Sequence, residues 1–169
     1  MEDFAVFQSP TTINYGRGSF QSVGVETKKK GRKALILSDK VMDDLGYVSE
    51  CRDLLQKDGI ESAVYLGVKS EPIDHYVSES LELFTKEKCD VIISLGGGSC
   101  IDTAKAIAVV ATNGGYIGDY MGGKKIADKQ PVPHIAIPTT AGTGSEATDV
   151  TVITNTSNDV KMMIKQPAF

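Results

Sequence analysis

Three glycines and a serine, Gly96-Gly97-Gly98-Ser99, stand between an apolar run and a segment of helical spacing, where they are suited to hold a phosphate. The first N–H groups of a helix have no internal acceptor and the peptide dipoles add at that end. An anion can therefore bind main chain alone, provided no side chain blocks its approach. Glycine supplies that clearance. The segment matches neither common nucleotide fingerprint, because Ile101 stands where a third glycine would fall and no Gly-Lys-Ser/Thr follows. Taken by themselves, these residues are equally compatible with a tight turn that holds no ligand.

A second stretch lies downstream. Immediately after Pro138, the residues Thr139-Thr140-Ala141-Gly142-Thr143-Gly144-Ser145 place four hydroxyls and two glycines in seven positions. Thr139, Thr140 and Thr143 can present hydroxyl and amide donors to phosphate and ribose oxygens without adding positive charge. The alternative is an idle linker. Asp39 ends a predicted strand, where a carboxylate accepts from adenosine ribose hydroxyls and repels a 2′-phosphate, favouring NAD over NADP. The alternative is a helix N-cap before Val41. Asp102 falls in the first turn after the glycines. Lys105, three residues on, either adds charge near a phosphate or pairs with Asp102.

The remaining reactive side chains form no constellation. His75 and His134 are too few for a three-histidine metal site, and neither is near a nucleophile in sequence. Both are expected to be structural or surface residues. Cys51, Cys89 and Cys100 are odd in number and widely spaced, against a disulfide framework. Cys100 is expected to be more acidic than an ordinary thiol because it stands at a helix N-terminus.

Alternating strands and helices must position these groups. Residues 33–38, 60–66, 91–95 and 134–137 read as short apolar strands, the last fixed by Pro138. Val41, Leu45, Val48, Arg52 and Leu55 keep helical spacing, Gly59 ends that helix, and Glu71-Pro72 opens the next. Ile101, Ala104, Ile107, Ala108 and Ala111 share one helical face, with Ser99 predicted as its N-cap. Residues 4–7 and 11–15 read as an N-terminal hairpin, and 150–154 with 160–164 as a C-terminal one. The fold class is α/β: a Rossmann-like open, mainly parallel sheet with helices on both faces, plus the two β-hairpins. Ligands of such sheets bind beyond the carboxyl ends of the strands, where Asp39, the glycines and the threonine loop would converge.

Length and charge bound the function. A chain of 169 residues, 1–169, is expected to form a single domain with one good-sized core. A net charge of −4 and the lone basic cluster, Lys28 to Lys33, do not make the basic stripe that nucleic acid requires. No apolar stretch is long enough to span a membrane, and Glu2 and Asp3 do not suit a signal peptide, so a cytoplasmic location is expected. An exposed N-terminal hairpin is compatible with a homo-oligomer.

Together, Gly96-Gly97-Gly98-Ser99-x-x-Asp102-x-x-Lys105 and Pro138-Thr139-Thr140-Ala141-Gly142-Thr143-Gly144-Ser145-Glu146 resemble the N-terminal domain of the iron-containing (group III) alcohol dehydrogenases. The branches most alike are the methanol and 1,3-propanediol dehydrogenases and lactaldehyde reductases. The likeness runs from Tyr15-Gly16-x-Gly18 through Ser38-Asp39-Lys40 to Val160-Lys161-Met162. It implies a dinucleotide-binding domain that is a fragment of a longer chain. The family's all-helical C-terminal domain, with an Asp and three His for Fe2+ or another divalent metal, is expected to lie outside residues 1–169. The resemblance further implies NAD as cofactor, an acidic residue at Asp39 in NAD-preferring members, Asp102 facing the nicotinamide, and Lys161 near the nicotinamide ribose. The implied reaction interconverts a small primary alcohol and its aldehyde by hydride transfer. The metal would polarise the alcohol oxygen, and this fragment alone would be inactive. Two alternatives are a non-catalytic dinucleotide-binding or assembly module, and a relative of dehydroquinate synthase and glycerol dehydrogenase. The latter share the glycine loop but usually depart from the Thr-Thr-Ala-Gly-Thr-Gly-Ser-Glu sequence.

Overall fold

The computed structural model describes residues 12–166 and 169. Four parallel strands, β1 (Lys33–Asp39), β2 (Glu61–Val68), β3 (Val91–Gly96) and β4 (His134–Pro138), form one sheet in the order β2-β1-β3-β4. From β1 the chain goes to one side for β2 and then crosses to the other for β3. The strand order therefore reverses between β1 and β3, where open α/β sheets leave a crevice at the carboxyl ends.

The sheet is covered on both faces because its strands are apolar on both. Ala34 and Ile36 of β1, with Val91, Ile93 and Leu95 of β3, pack against Val23 of α1 (Val23–Lys28) and Val48, Cys51 and Leu55 of α3 (Tyr47–Lys57). Leu35, Leu37 and Ile92 alternate with them and face α4 (Asp74–Lys86) and α5 (Gly98–Asn113) through Val77, Phe84, Ala104 and Ile107. Each Val, Leu, Ile or Phe among them that is removed from water stabilises the fold by about 1.5–3 kcal/mol.

The spacing of Val41, Leu45 and Val48 predicts one helix, but two form. α2 (Lys40–Asp44) stops where Gly46 takes the left-handed conformation, φ +83°, and α3 starts afresh. As a result Val41 and Leu45 are 61% exposed rather than packed. After Gly18 a 3-10 turn, Ser19–Ser22, runs into α1. Of the N-terminal hairpin, residues 4–7 lie outside the described residues, and residues 12–15 belong to no strand.

The C-terminal hairpin forms as expected, β5 (Val150–Asn155) pairing antiparallel with β6 (Val160–Lys165) as a separate two-stranded sheet. It lies over α5 and changes that helix's burial. Instead of one apolar face, α5 is buried at every position from Cys100 to Val110, including Asp102, Thr103 and Lys105. Ile153, Met162 and Ile164 join the core beside α5, and Thr151 Oγ1 donates to Asp102 O at 2.8 Å. Thr154 N–H donates to Pro72 O at 2.8 Å, fastening the hairpin to the β2–α4 connection. The basic cluster ends at Lys33, which opens β1 at the far end of the sheet and pairs with Glu87 at 3.0 Å.

Candidate functional site

The glycine bend joins β3 to α5. Gly97 is the N-cap of α5 and has no side chain to offer; Cys100 and Ile101 N–H both donate to its carbonyl, at 3.0 and 3.2 Å. The amides of Gly98 and Ser99 therefore have no intrahelical acceptor and open the helix toward the sheet edge. Ser99 is not the predicted cap. It stands inside the helix, and its hydroxyl donates to Ser70 O at 2.9 Å, reaching across to the β2–α4 connection.

The hydroxyl loop folds directly against this bend. Thr139 N–H donates to Gly96 O at 3.0 Å. A Cβ on Gly97 would stand 3.2 Å from Thr140 Oγ1, and one on Gly98 would stand 3.0 Å from Thr143 Cγ2 and 3.1 Å from Ser145 Oγ. The clearance that glycine provides is thus shared with threonine side chains. Gly144 takes φ +65° just before Ser145, a turn that L side chains rarely adopt.

At the end of β1, Asp39 does act as a helix cap, its Oδ1 accepting from Met42 N–H at 2.9 Å. Its Oδ2 lies 4.0 Å from Cys100 Sγ, which tucks beneath Gly96. The expectation of an acidic Cys100 is overturned. At 1% exposure, burial pushes its thiol up to about 12, with the Asp39 carboxylate acting in the same direction. The favourable helix end does not offset that desolvation.

A cleft of about 350 Å³ opens beside the bend, lined by Gly98, Ser99, Asp102, Thr143 and Lys161 among the predicted residues, and by Glu71, Pro72, Ser145, Val152 and Thr154 besides. Asp39, Gly96, Gly97, Thr139 and Thr140 stand outside its lining. Asp102 is the unusual member. It is 8% exposed; Oδ2 accepts from Val152 N–H at 3.2 Å, while Oδ1 is buried with no partner among the described residues. Burial raises its pKa, opposed by the Val152 N–H, Lys105 and Ser145. An orphaned buried oxygen costs about 1–3 kcal/mol, so it is a place for a ligand's donor. Lys161 is exposed on β6 and paired across the cleft mouth with Glu71 of the β2–α4 connection.

Lys105 turns to main-chain oxygens and makes no ion pair with Asp102. Its buried Nζ donates to Ser145 O, Thr148 O and Val150 O, each at 2.7 Å. His134 hydrogen-bonds Ser94 Oγ at 2.8 Å beneath α5, and burial holds its imidazole down at about 4, neutral at pH 7. His75 is exposed on α4. No three His, Cys, Asp or Glu side chains among the described residues are grouped to hold a metal ion. A larger depression, about 500 Å³, lies on the outer face of α4 between Leu81 and Lys86, without the convergent polar groups of the cleft.

Sequence reasoning missed Ser145, Glu71 and Thr154. Ser145 was within reach as the last hydroxyl of its loop. Glu71 and Thr154 carry no local signal and become neighbours only because the hairpin bonds Pro72.

The family model for iron-containing alcohol dehydrogenases matches residues 10–169. The chain is 42% identical over 159 residues to the NAD-dependent methanol dehydrogenase of Bacillus methanolicus, covering 94% of this chain and 42% of that enzyme. The structure superposes on NADH-dependent butanol dehydrogenase A of Thermotoga maritima with a TM-score of 0.91 at 36% identity, covering 99% of this chain and 42% of that one. It superposes on 1,3-propanediol oxidoreductase with a TM-score of 0.90 at 35% identity, covering 95% and 42%. The chain thus spans about two fifths of the length of these relatives. On the match of its family model and the accompanying likeness in sequence and fold, the chain belongs to the iron-containing alcohol dehydrogenase family.

Proposed function

We propose that residues 1–169 are the NAD-binding domain of a longer, cytoplasmic, metal-dependent alcohol dehydrogenase that interconverts a small primary alcohol and its aldehyde. The observation that carries this reading is the open N-terminus of α5, bordered by a hydroxyl loop and an orphaned buried carboxylate oxygen, at the point where the strand order reverses. The names of the relatives, an NAD-dependent methanol dehydrogenase and an NADH-dependent butanol dehydrogenase, supply the cofactor and substrate class.

These residues fit a dinucleotide. The amides of Gly98 and Ser99 would hold the diphosphate, with Gly96 and Gly97 giving room for Cys100 and Thr140 to pack against the bend and Thr139, Thr140 and Thr143 donating beside it. Asp39, with Oδ1 engaged as a cap, has Oδ2 for a ribose hydroxyl. Asp102 Oδ1 would accept from the nicotinamide end, and Lys161 would turn from Glu71 to the nearby ribose. When bound, NAD supplies a hydride acceptor at C4 of the nicotinamide. The chain's part is to bind and orient it.

The family's iron does not fit here, since the described residues offer no ligand cluster. No step of the reaction is assigned to a metal on this chain. Among the described residues no helix is long and apolar enough to cross a membrane.

NADH fluorescence titration of the 169-residue chain, alongside an alcohol turnover assay with added Fe2+, tests the proposal. Saturable NADH binding without turnover is expected; metal-dependent turnover, or no binding, would refute it.

A further inference from the structure

Lys105 is buried to 5% exposure, where a lysine ordinarily finds a carboxylate or loses its proton. Here Nζ gives its three protons to main-chain oxygens of Ser145, Thr148 and Val150. Those carbonyls lie along the stretch that carries the hydroxyl loop into β5. Most of that stretch is exposed, and it contains two glycines at positive φ, Gly142 and Gly144; Thr139 N–H to Gly96 O at 3.0 Å and Gln166 N–H to Asp149 O at 3.0 Å hold its two ends, and Lys105 is the side chain of α5 that bonds its middle. Charge-assisted bonds in a buried setting are about twice as strong as neutral ones.

We infer that Lys105 is a positioning residue, its ammonium pinning residues 145–150 to α5 and thereby setting where Thr143 and Ser145 stand over Gly98. Burial lowers the Lys105 pKa, opposed by the negative charges of Asp102, Asp149 and Glu146. The effect on cofactor affinity rests on the dinucleotide reading; the pin itself does not. Lys105 touches no cofactor in this account and acts through the loop alone.

Lys105→Ala removes the atoms of n-propylammonium, which can be added back. Hydrogen exchange followed by mass spectrometry should show peptides covering 139–150 exchanging about tenfold faster in the variant, with β1 and β3 unchanged. Added n-propylammonium should restore protection, and 1-propanol, similar in shape but uncharged, should not. Unchanged loop exchange, equal acceleration of loop and sheet, or rescue by 1-propanol would each overturn the inference. If the alanine variant fails to fold, Lys105→Met keeps most of the volume without the charge, and the same loop-specific acceleration decides the matter. In the NADH titration the variant should bind about tenfold more weakly and recover with n-propylammonium. Wild-type chain that does not bind NADH would refute the dinucleotide reading, while the exchange measurement would still decide the pin.

Discussion

Two helices start at the same edge of the sheet and treat their first amides in opposite ways. After β1, Asp39 turns its carboxylate onto Met42 N–H and closes the start of α2. After β3, Gly97 offers nothing, and Ser99 sends its hydroxyl to Ser70 instead, so α5 begins open. The open helix is also the longer one, sixteen residues against five, and buried through most of its length. Its dipole is therefore more fully developed at an end the protein leaves unsatisfied. A short helix needs its own cap. A long buried one left uncapped, beside a carboxylate oxygen without a partner, is arranged for a ligand rather than for stability.

The sharpest way to break this contrast is to close the open end with a side chain. In Gly98→Val the added Cβ starts 3.0 Å from Thr143 Cγ2 and its methyl groups fill the approach. NADH affinity should fall by about 100-fold, near 3 kcal/mol, with the far-ultraviolet circular dichroism of the fold retained. Retention of affinity within about threefold would show that the main chain of α5 carries no ligand.

Asp102→Asn tests the orphaned oxygen. A carboxyl whose folded pKa is raised above its unfolded value favours the folded state while protonated. That contribution is complete below the unfolded pKa and is lost as pH rises through the folded one. Above the folded pKa the wild type bears a buried charge that the amide avoids. The variant should gain about 1 kcal/mol in urea denaturation at pH 7, a gain that shrinks toward pH 4. Its NADH affinity should fall about tenfold. Stability and binding moving together would contradict a role in holding ligand.

How much of this was legible beforehand differs between the two helix starts. The strands were legible because Ala34 to Leu37 and Val91 to Leu95 are apolar on both faces, which only a twice-covered parallel sheet satisfies. The glycine bend was legible as a turn because three glycines separate an apolar run from a segment of helical spacing, while what the turn holds was not written in those residues alone. The cap on α5 was misread because Ser99 matches the local pattern, yet its hydroxyl prefers a carbonyl brought in from β2–α4, twenty-nine residues away. Lys105 and Cys100 were misread for a shared reason. Each looked like the outward or reactive face of a helix, and the hairpin and the Gly96 turn buried them. Such burial is a property of the assembled layers and leaves no trace in helical spacing.

Asp39→Ala is the matched perturbation at the closed helix. Loss of the cap should cost about 1 kcal/mol in denaturation. If the carboxylate also reads a ribose, the ratio of NAD to NADP affinity should fall in the same variant. A loss of stability with the ratio intact would leave Asp39 as a cap alone.

The smallest effect is expected at the cleft mouth, and it bears on what the open helix contributes by itself. Lys161 and Glu71 are both exposed, so their pair is screened by salt and Lys161→Met should leave the melting temperature within about 2 °C of wild type. A bound diphosphate held chiefly by uncharged amides would lose only about threefold in affinity from that change, with weaker salt dependence than before. Glu71→Gln should move affinity the other way, because Lys161 no longer has a competing carboxylate. If Lys161→Met instead costs as much as Gly98→Val, a surface cation and not the backbone of α5 is the principal anchor, and the contrast between the two helix starts loses its functional meaning.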